Sequence, residues 1–157
     1  MIRPARADDL GAIESIVREA YGHYRARLGK EPGPMLDDYQ AHIGGGRIHV
    51  LEENGLLHGL VVLIPEVGTM FLDNVAVRPD AQGRGYGRQL IDFAEAEAMR
   101  LGYSSIRLYT NVAMTENLSL YGRLGFIETH RGEEKGFARV YMQKALRPGP
   151  PGSPACA

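Results

Sequence analysis

The sequence DNVAVRPDAQGRGYGR, at residues 73–88, is the most informative segment of this chain. An apolar strand runs into a loop with alternating glycines, and the loop leads directly into a helix. Such a loop leaves backbone N–H groups unpaired at a helix N-terminus, where they can bind a phosphate or pyrophosphate. Glycine permits positive φ and lets a ligand approach the backbone closely, while Arg84 and Arg88 add positive charge. The segment therefore predicts a phosphorylated ligand.

Two common phosphate-binding loops do not fit this segment. A Walker A loop needs G-x-x-x-x-G-K-[ST], and neither Lys-Ser nor Lys-Thr follows these glycines. The dinucleotide fingerprint G-x-G-x-x-G fails because Gly83 and Gly85 would need a third glycine where Arg88 stands. The chain instead has Q-x-x-G-x-G, at Gln82, Gly85 and Gly87, after V-A-V-R-P. This order resembles the acyl-CoA-binding motif of the GNAT superfamily of N-acetyltransferases.

A second signature supports the resemblance. Residues 120–126, LYGRLGF, are similar to the family motif L-Y-x-x-x-G-F, although Tyr121 and Phe126 alone would also fit a packed helix end. The resemblance extends from Ile2 to Leu146. It implies an α/β (α+β) fold of the GNAT acyl-CoA N-acyltransferase type. Such a fold has a central, mostly antiparallel twisted sheet with a splayed parallel strand pair and flanking helices.

Hydrophobic periodicity and turn residues predict the order of elements along the chain. Apolar residues at helical spacing predict a first helix from Leu10 to Ala20, after Asp8 and Asp9, which can cap it. Asn-Gly at residues 54–55, between two apolar runs, predicts a hairpin. Further helices are predicted at 36–43, 85–101 and 115–124, and strands at 47–52, 56–64, 71–77, 106–110, 126–130 and 138–144. The strand–helix–strand crossover at 71–110 implies a parallel pair.

Length and composition set the broad class of the protein. The 157 residues predict one domain at 1–146, followed by a disordered Pro/Gly-rich tail at 147–157. The net charge of −1 argues against nucleic acid or an anionic membrane as the main partner. Without an apolar run of about 18 residues or an apolar signal segment, we expect a soluble cytoplasmic protein. Cys156 is the only cysteine and the five histidines lack ligand spacing, so no metal is predicted.

The GNAT resemblance implies acetyl-CoA as co-substrate. In the family, the loop amides hold the CoA pyrophosphate, and backbone groups of the preceding strand face the pantetheine arm. Many members also have an asparagine seven residues before the signature tyrosine, a position that Met114 occupies here, so Asn111 or Asn117 could replace it. The predicted cofactor-binding residues are Val75, Ala76, Val77, Gln82, Gly83, Arg84, Gly85, Tyr86, Gly87, Arg88 and Asn117.

Acetyl transfer to an amine also needs a general acid and a proton acceptor. The resemblance implies that Tyr121 protonates the leaving thiolate, which is reasonable because tyrosine has an ordinary pKa of about 10 and a thiol of about 8.5. Asp73 is the predicted base because a carboxylate that interrupts an apolar strand is costly unless it is paired or functional. Pairing with a nearby arginine or a backbone N–H would also explain Asp73. Weaker candidates for the base are Glu66, His49 and Tyr109.

Two classes of function follow from these residues. The first is an N-acetyltransferase that moves acetyl from acetyl-CoA directly to a primary amine of a small molecule or peptide, with a homodimer possible. The second is a catalytically silent acyl-CoA-binding sensor or assembly subunit. Residues that could recognise a cationic amine, or could simply form a solvated polar surface, are Tyr21, Tyr24, Tyr39, His42, Glu133 and Glu134.

Overall fold

A computed structural model of the chain describes residues 1–22, 24, 28 and 33–146. Its strands are β1 (Ile2–Pro4), β2 (Ile48–Glu53), β3 (Leu56–Pro65), β4 (Met70–Val77), β5 (Ser105–Asn111), β6 (Ile127–Glu134) and β7 (Phe137–Ala145). Its α-helices are α1 (Leu10–Tyr21), α2 (Tyr39–Gly44), α3 (Tyr86–Arg100) and α4 (Thr115–Arg123). Among the described residues, no helix is both long enough and apolar enough to cross a membrane.

The strands form a seven-stranded mixed sheet in the order β1-β2-β3-β4-β5-β7-β6. β4 and β5 are the parallel pair, which confirms the crossover predicted from residues 71–110. The chain divides into two compact units. The first comprises Met1–Ile64 and Asp73–Ala94, and the second comprises Pro65–Leu72 and the chain from Glu95 onward. The prediction of one domain at 1–146 stays a prediction.

In the first unit, antiparallel pairing joins β1 to β2 and β2 to β3. The predicted hairpin is confirmed, since Asn54 and Gly55 both have positive φ between β2 and β3. A close approach explains Gly59 in β3, because a Cβ there would lie 2.9 Å from the Ala76 carbonyl oxygen and 3.0 Å from Leu90 Cδ1. The core of the unit consists of fully buried apolar residues, among them Ile13, Ile16, Val50, Leu60, Leu90 and Ile91.

In the second unit, the parallel ladder joins Met70 to Ile106 and Phe71 to Arg107. β7 pairs antiparallel with β5 on one side and with β6 on the other. All eight residues of β6 are exposed, so the core of this unit comes from other elements. Its buried apolar residues include Ile106, Leu108, Phe126, Val140 and Met142.

Two element boundaries differ from the sequence prediction by more than two residues. The helix predicted at 36–43 begins only at Tyr39, because the Asp38 carboxylate accepts a hydrogen bond from Ala41 N at 3.0 Å and caps the helix there. A separate 3₁₀ turn spans Gly33–Leu36. β6 extends to Glu134 instead of ending at 130, since a tight turn with positive φ at Lys135 and its neighbouring glycine replaces the expected longer loop. The predicted tail at 147–157 lies outside the described residues.

Candidate functional site

The loop between β4 and α3 has the backbone that its sequence predicted. A 3₁₀ turn over Pro79–Ala81 leads into the loop, and both Gly83 and Gly85 have positive φ, at 84° and 82°. The first helical hydrogen bond runs from Gln89 N to the Gly85 carbonyl oxygen at 3.0 Å. Within the described part of the chain, the N–H groups of residues 83–88 donate to no protein acceptor. Six neighbouring donors at a helix N-terminus can hold an anionic group.

One side chain of the loop hydrogen-bonds back to β4, and two others are cationic. Gln82 Nε2 donates to the Val77 carbonyl oxygen at 3.3 Å, so this side chain ties the loop back to the end of β4. Arg84 contacts only the Asp80 carbonyl oxygen, at 3.4 Å, among the described groups, and the Arg88 side chain is 72% exposed. The Tyr86 ring stacks on His58 with 5.3 Å between ring centroids. The loop therefore presents cationic and aromatic side chains beside its unpaired amides.

A buried hydrogen-bond network fixes β4 just before this loop. The Tyr21 hydroxyl lies 2.6 Å from Asn74 Oδ1 and 2.9 Å from the Val75 carbonyl oxygen, and its one proton can serve either acceptor. Asn74 Nδ2 donates to the Tyr39 hydroxyl at 2.9 Å, and that hydroxyl donates to the Pro34 carbonyl. These bonds join α1, α2 and the 3₁₀ turn at Gly33–Leu36 to the strand. The carbonyl oxygen of Val75, a predicted pantetheine contact, thus lies within hydrogen-bond distance of the Tyr21 hydroxyl.

The Tyr39 hydroxyl must keep its proton for this network to exist. Burial raises the pKa of Tyr39 well above its ordinary value, and the negative charges of Asp37 and Asp73 add to the rise. The hydroxyl is thus a permanent donor to the Pro34 carbonyl and an acceptor for Asn74. A tyrosine in this state braces the site and is unsuited to act as a base.

Asp73, the predicted base, lies in a cluster of polar side chains in the first unit. Asp73 Oδ2 is 3.9 Å from His42 Nε2, and His42 Nε2 is 2.8 Å from Asp37 Oδ2. Arg47 Nε donates to His42 Nδ1 at 2.8 Å and so closes the other side of the ring. The Asp73 side chain is 16% exposed and that of Asp37 is 33% exposed. The cluster is therefore partly accessible through its carboxylates.

The second unit contains the remaining predicted site residues. The Tyr121 ring packs edge-on against Phe126 with 5.6 Å between centroids, which agrees with the packing role considered from the sequence. Asn117 Nδ2 contacts Met114 Sδ at 3.6 Å. Asn111 Oδ1 accepts from Ala113 N at 2.9 Å and closes the turn after β5. Tyr121 and Asn117 stay predictions as acid and cofactor ligand.

The weaker candidates for the base are engaged in other interactions. Glu66 binds the Arg107 guanidinium with two hydrogen bonds, at 2.6 and 2.9 Å. The Tyr109 ring stacks on Phe71 and has the Arg139 guanidinium 4.0 Å above its face. In the first unit, the His49 ring packs 4.7 Å from that of Phe93.

The residues proposed for amine recognition behave in two ways. Four of them lie in the first unit and are buried: Tyr21, Tyr24, Tyr39 and His42. The alternative that they form a solvated polar surface is therefore wrong for these four residues. Glu133 and Glu134 are exposed on β6, where Glu134 pairs with Arg139 at 2.9 Å and accepts from the Tyr141 hydroxyl at 3.0 Å.

Sequence reasoning missed three residues of the first unit. Asn74 is 5% exposed and lies at the centre of the tyrosine network, yet nothing marks it within an apolar strand except its polarity. Asp37 and Arg47 flank His42 five residues before and five after, a spacing that no metal or catalytic motif uses. Their role depends on Asp73, which is distant in sequence, so only the folded chain reveals it.

Comparisons with known proteins concern the family and the fold. A sequence model described as the acetyltransferase (GNAT) family matches residues 12–126. An uncharacterized N-acetyltransferase of Bacillus subtilis strain 168, YvbK, is 30% identical over 94 residues, which are 59% of this chain and 61% of the relative. Mycothiol acetyltransferase of Geodermatophilus obscurus is 40% identical over 60 residues, 38% of this chain and 19% of that protein. The chain thus spans less than two thirds of these relatives.

Solved structures share the fold. The ribosomal-protein-S18-alanine N-acetyltransferase of Escherichia coli matches with a TM-score of 0.75 and 20% identity, over 98% of this chain and 97% of that one. The PaiA N-acetyltransferase of Thermoplasma acidophilum, solved in complex with coenzyme A, matches with a TM-score of 0.76 and 19% identity, over 92% and 98% of the two chains. At these identities the likeness concerns the fold alone.

The tyrosine network generates a stability prediction. We expect Tyr39→Phe to lower the free energy of unfolding by about 1–3 kcal/mol, because it leaves the buried Asn74 amide and the Pro34 carbonyl without their partner. The control is Tyr103→Phe, whose hydroxyl has no hydrogen bond to a described residue, with an expected change of about 0.5 kcal/mol or less. Urea denaturation measures both. Equal stability of the two variants would contradict the role given to the network.

Proposed function

The chain belongs to the acetyltransferase (GNAT) family, and from this membership we propose that it transfers an acetyl group from acetyl-CoA to a primary amine of a small molecule or peptide. One observation supports the proposal best: the amides of residues 83–88, at the N-terminus of a 15-residue helix, have no acceptor in the part of the chain that the structure describes. An acyl-CoA carries a pyrophosphate, and this group suits both the donors and the partial positive charge of the helix end.

The donor would bind along the carboxyl end of β4 and the loop after it. The amides of residues 83–88 would hold the pyrophosphate, with Arg84 and Arg88 supplying positive charge. Backbone groups of Val75, Ala76 and Val77 would face the pantetheine arm. Tyr21 and Gln82 support this arrangement because they hold the carbonyls of Val75 and Val77. A preorganised strand of this kind lowers the cost of positioning the thioester.

The transfer itself requires three proton movements. The ammonium of the acceptor gives a proton to Asp73, and its nitrogen then attacks the thioester carbonyl carbon. A C–N bond forms, the C–S bond breaks, and the thiolate of CoA takes a proton from Tyr121. The nitrogen loses its second proton as the amide forms, and this proton returns Tyr121 to its phenol form. Backbone N–H groups of β4 can stabilise the oxyanion that forms on the way. No covalent enzyme intermediate is needed for this direct route.

The acceptor is proposed only as a primary amine. Relatives and structural neighbours carry names as different as mycothiol acetyltransferase and ribosomal-protein-S18-alanine N-acetyltransferase. A panel of benzylamine, lysine, glucosamine and a peptide with a free N-terminus therefore samples the acceptor classes. Buried Tyr21, Tyr39 and His42 lie beside Asp73 or its neighbour Asn74 in the first unit, which supports recognition of an amine there.

Calorimetric titration with acetyl-CoA tests the donor site. We expect the wild type to bind with micromolar affinity and Gly85→Asp to bind at least about tenfold more weakly, because a carboxylate beside the loop repels the phosphates. The matched control is Gly85→Asn, which has the same shape and meets the same positive φ but carries no charge. No binding by the folded wild type, or equal affinity of the Asp and Asn variants, would contradict the proposed loop.

Tyr121→Phe tests the general acid. We expect kcat with the best amine of the panel to fall by about 100-fold or more, since the thiolate would leave without a proton donor. The affinity for acetyl-CoA should stay the same in calorimetry. Tyr103→Phe, another tyrosine of the second unit, serves as the control and should turn over normally. A Tyr121→Phe enzyme with wild-type kcat would remove Tyr121 from the mechanism.

Asp73→Asn tests the base. We expect the rise of kcat/KM with pH to flatten in this variant, because an amide cannot accept the proton of the ammonium. Steady-state rates across the pH range measure the profile, and thermal unfolding checks that stability is unchanged. Asp8→Asn, an exposed carboxylate far from the cluster in sequence, is the control and should keep the wild-type profile. An unaltered profile in Asp73→Asn would assign Asp73 to a structural ion pair.

A further inference from the structure

His42 occupies an unusual position in the first unit. Its imidazole is almost completely buried, with one ring nitrogen between two carboxylates and the other against a guanidinium. Asp37 Oδ2 lies within hydrogen-bond distance of Nε2, at 2.8 Å, and Asp73 Oδ2 lies 3.9 Å away. Arg47 is held in place by a second bond, from its Nη2 to the Ala41 carbonyl oxygen at 3.0 Å.

The Arg47 contact determines which nitrogen of His42 carries the proton. A guanidinium has only donors, so Nδ1 must accept the 2.8 Å hydrogen bond from Arg47 Nε. The proton of the neutral ring is then on Nε2, from which it can be donated to Asp37. The network thus directs the Nε2–H of His42 at Asp37.

This arrangement is poorly suited to a metal ion. Asp37, His42 and Asp73 offer three ligand atoms within 4.8 Å of one another, which is close enough for one cation. Coordination through Nε2 would, however, move the ring proton to Nδ1, where metal-bound histidines usually donate to an acceptor. Here Nδ1 meets the donor Arg47 instead. The cluster therefore favours a hydrogen-bonding role for His42.

We propose that His42 is a positioning residue for the Asp37–Asp73 carboxylate pair, and that it does so as a fixed donor that exchanges no proton. The proposal rests on the proposed function, in which Asp73 accepts the proton of the amine. His42 holds Asp37 by a direct bond and directs its N–H dipole toward the same side as Asp73. Because Nδ1 is occupied by Arg47, a proton cannot enter the ring on one nitrogen and leave from the other, so His42 is no proton shuttle.

The consequence for the substrate is electrostatic. Two carboxylates lie near Nε2 of the ring and one guanidinium lies at Nδ1, so the side of the ring that faces Asp37 and Asp73 is the negative one. An ammonium group can approach Asp73 and Asp37 together, which orients it before Asp73 takes its proton. Loss of the donor at His42 leaves Asp37 with only the hydrogen bond that its Oδ1 accepts from Asp38 N at 2.9 Å, so its Oδ2 can move. A displacement of about 1 Å at a reacting group can lower the rate by about 100-fold.

The tautomer is tested without any substrate. Protein labelled with ¹⁵N in histidine gives distinct signals for protonated and unprotonated ring nitrogens, and His42→Gln identifies those of His42 by their absence. We expect the Nε2–H tautomer in the wild type. Arg47→Met removes the donor to Nδ1, so the Nδ1 signal should shift in this variant while Asp37 still accepts from Nε2–H. Addition of Zn²⁺ should leave the His42 signals in place. An Nδ1–H tautomer, or a shift of Nε2 on addition of Zn²⁺, would overturn the proposal.

Kinetics with the best amine of the panel then separate a fixed donor from an acid or base. Gln carries an amide N–H2 near the position of Nε2 and has no protonation change, so His42→Gln should keep kcat within about threefold of wild type. His42→Ala should lower kcat by about 100-fold with an unchanged KM for acetyl-CoA. Equal losses in the Gln and Ala variants, or none in Ala, would overturn the proposal.

Controls distinguish this inference from the proposed function. Thermal unfolding of both His42 variants checks that they fold, and acetyl-CoA calorimetry checks that the donor site is intact. If no amine of the panel is acetylated by the wild type, the proposed function fails. The NMR result then decides the inference alone: the Nε2–H tautomer, with an Nδ1 signal that shifts in Arg47→Met, supports the fixed donor, and the Nδ1–H tautomer overturns it.

Discussion

Six consecutive backbone N–H groups, which have no acceptor among the described residues, are the constraint around which the first unit is organised. An unpaired amide is costly unless water or a ligand satisfies it, so such a row persists only where the fold holds it in place. Positive φ at Gly83 and Gly85 turns the chain, and Gln82 ties the loop to Val77. Gly59 lets the Ala76 backbone and Leu90 approach β3 closely enough to support this end of the strand.

The tyrosine network extends that rigidity to the other elements of the first unit. Tyr21 and Tyr39 reach Asn74 from α1 and α2, and both keep their hydroxyl protons engaged. The same two helices therefore contact the strand that would hold the acyl group. Asp73, one residue before Asn74, also lies near a side chain of α2, because His42 of that helix is close to its carboxylate. In the proposed mechanism, donor binding and amine recognition would depend on the same few buried contacts.

The sequence predicted the parts of the site that are local in the chain. The strand, loop and helix at residues 70–100 could be predicted because the V-A-V-R-P run and the spaced glycines are adjacent in the sequence. Residues that act through distant partners could not be predicted in the same way. In the sequence, Asn74 is only a polar residue that interrupts an apolar strand. The structure shows that it is hydrogen-bonded to Tyr21 and Tyr39. In the sequence, His42 resembles a polar surface residue. The structure shows its ring next to Arg47, Asp37 and Asp73.

The release of free CoA thiol from acetyl-CoA, measured together with the mass of each amine of the panel, tests the central claim most directly. The account predicts that at least one amine gains a single acetyl group, with one thiol released for each amide formed. Acetyl-CoA that binds to the folded protein but releases thiol only at the background rate of hydrolysis, with every amine, would contradict acetyl transfer. That result would assign the chain to the catalytically silent acyl-CoA-binding proteins.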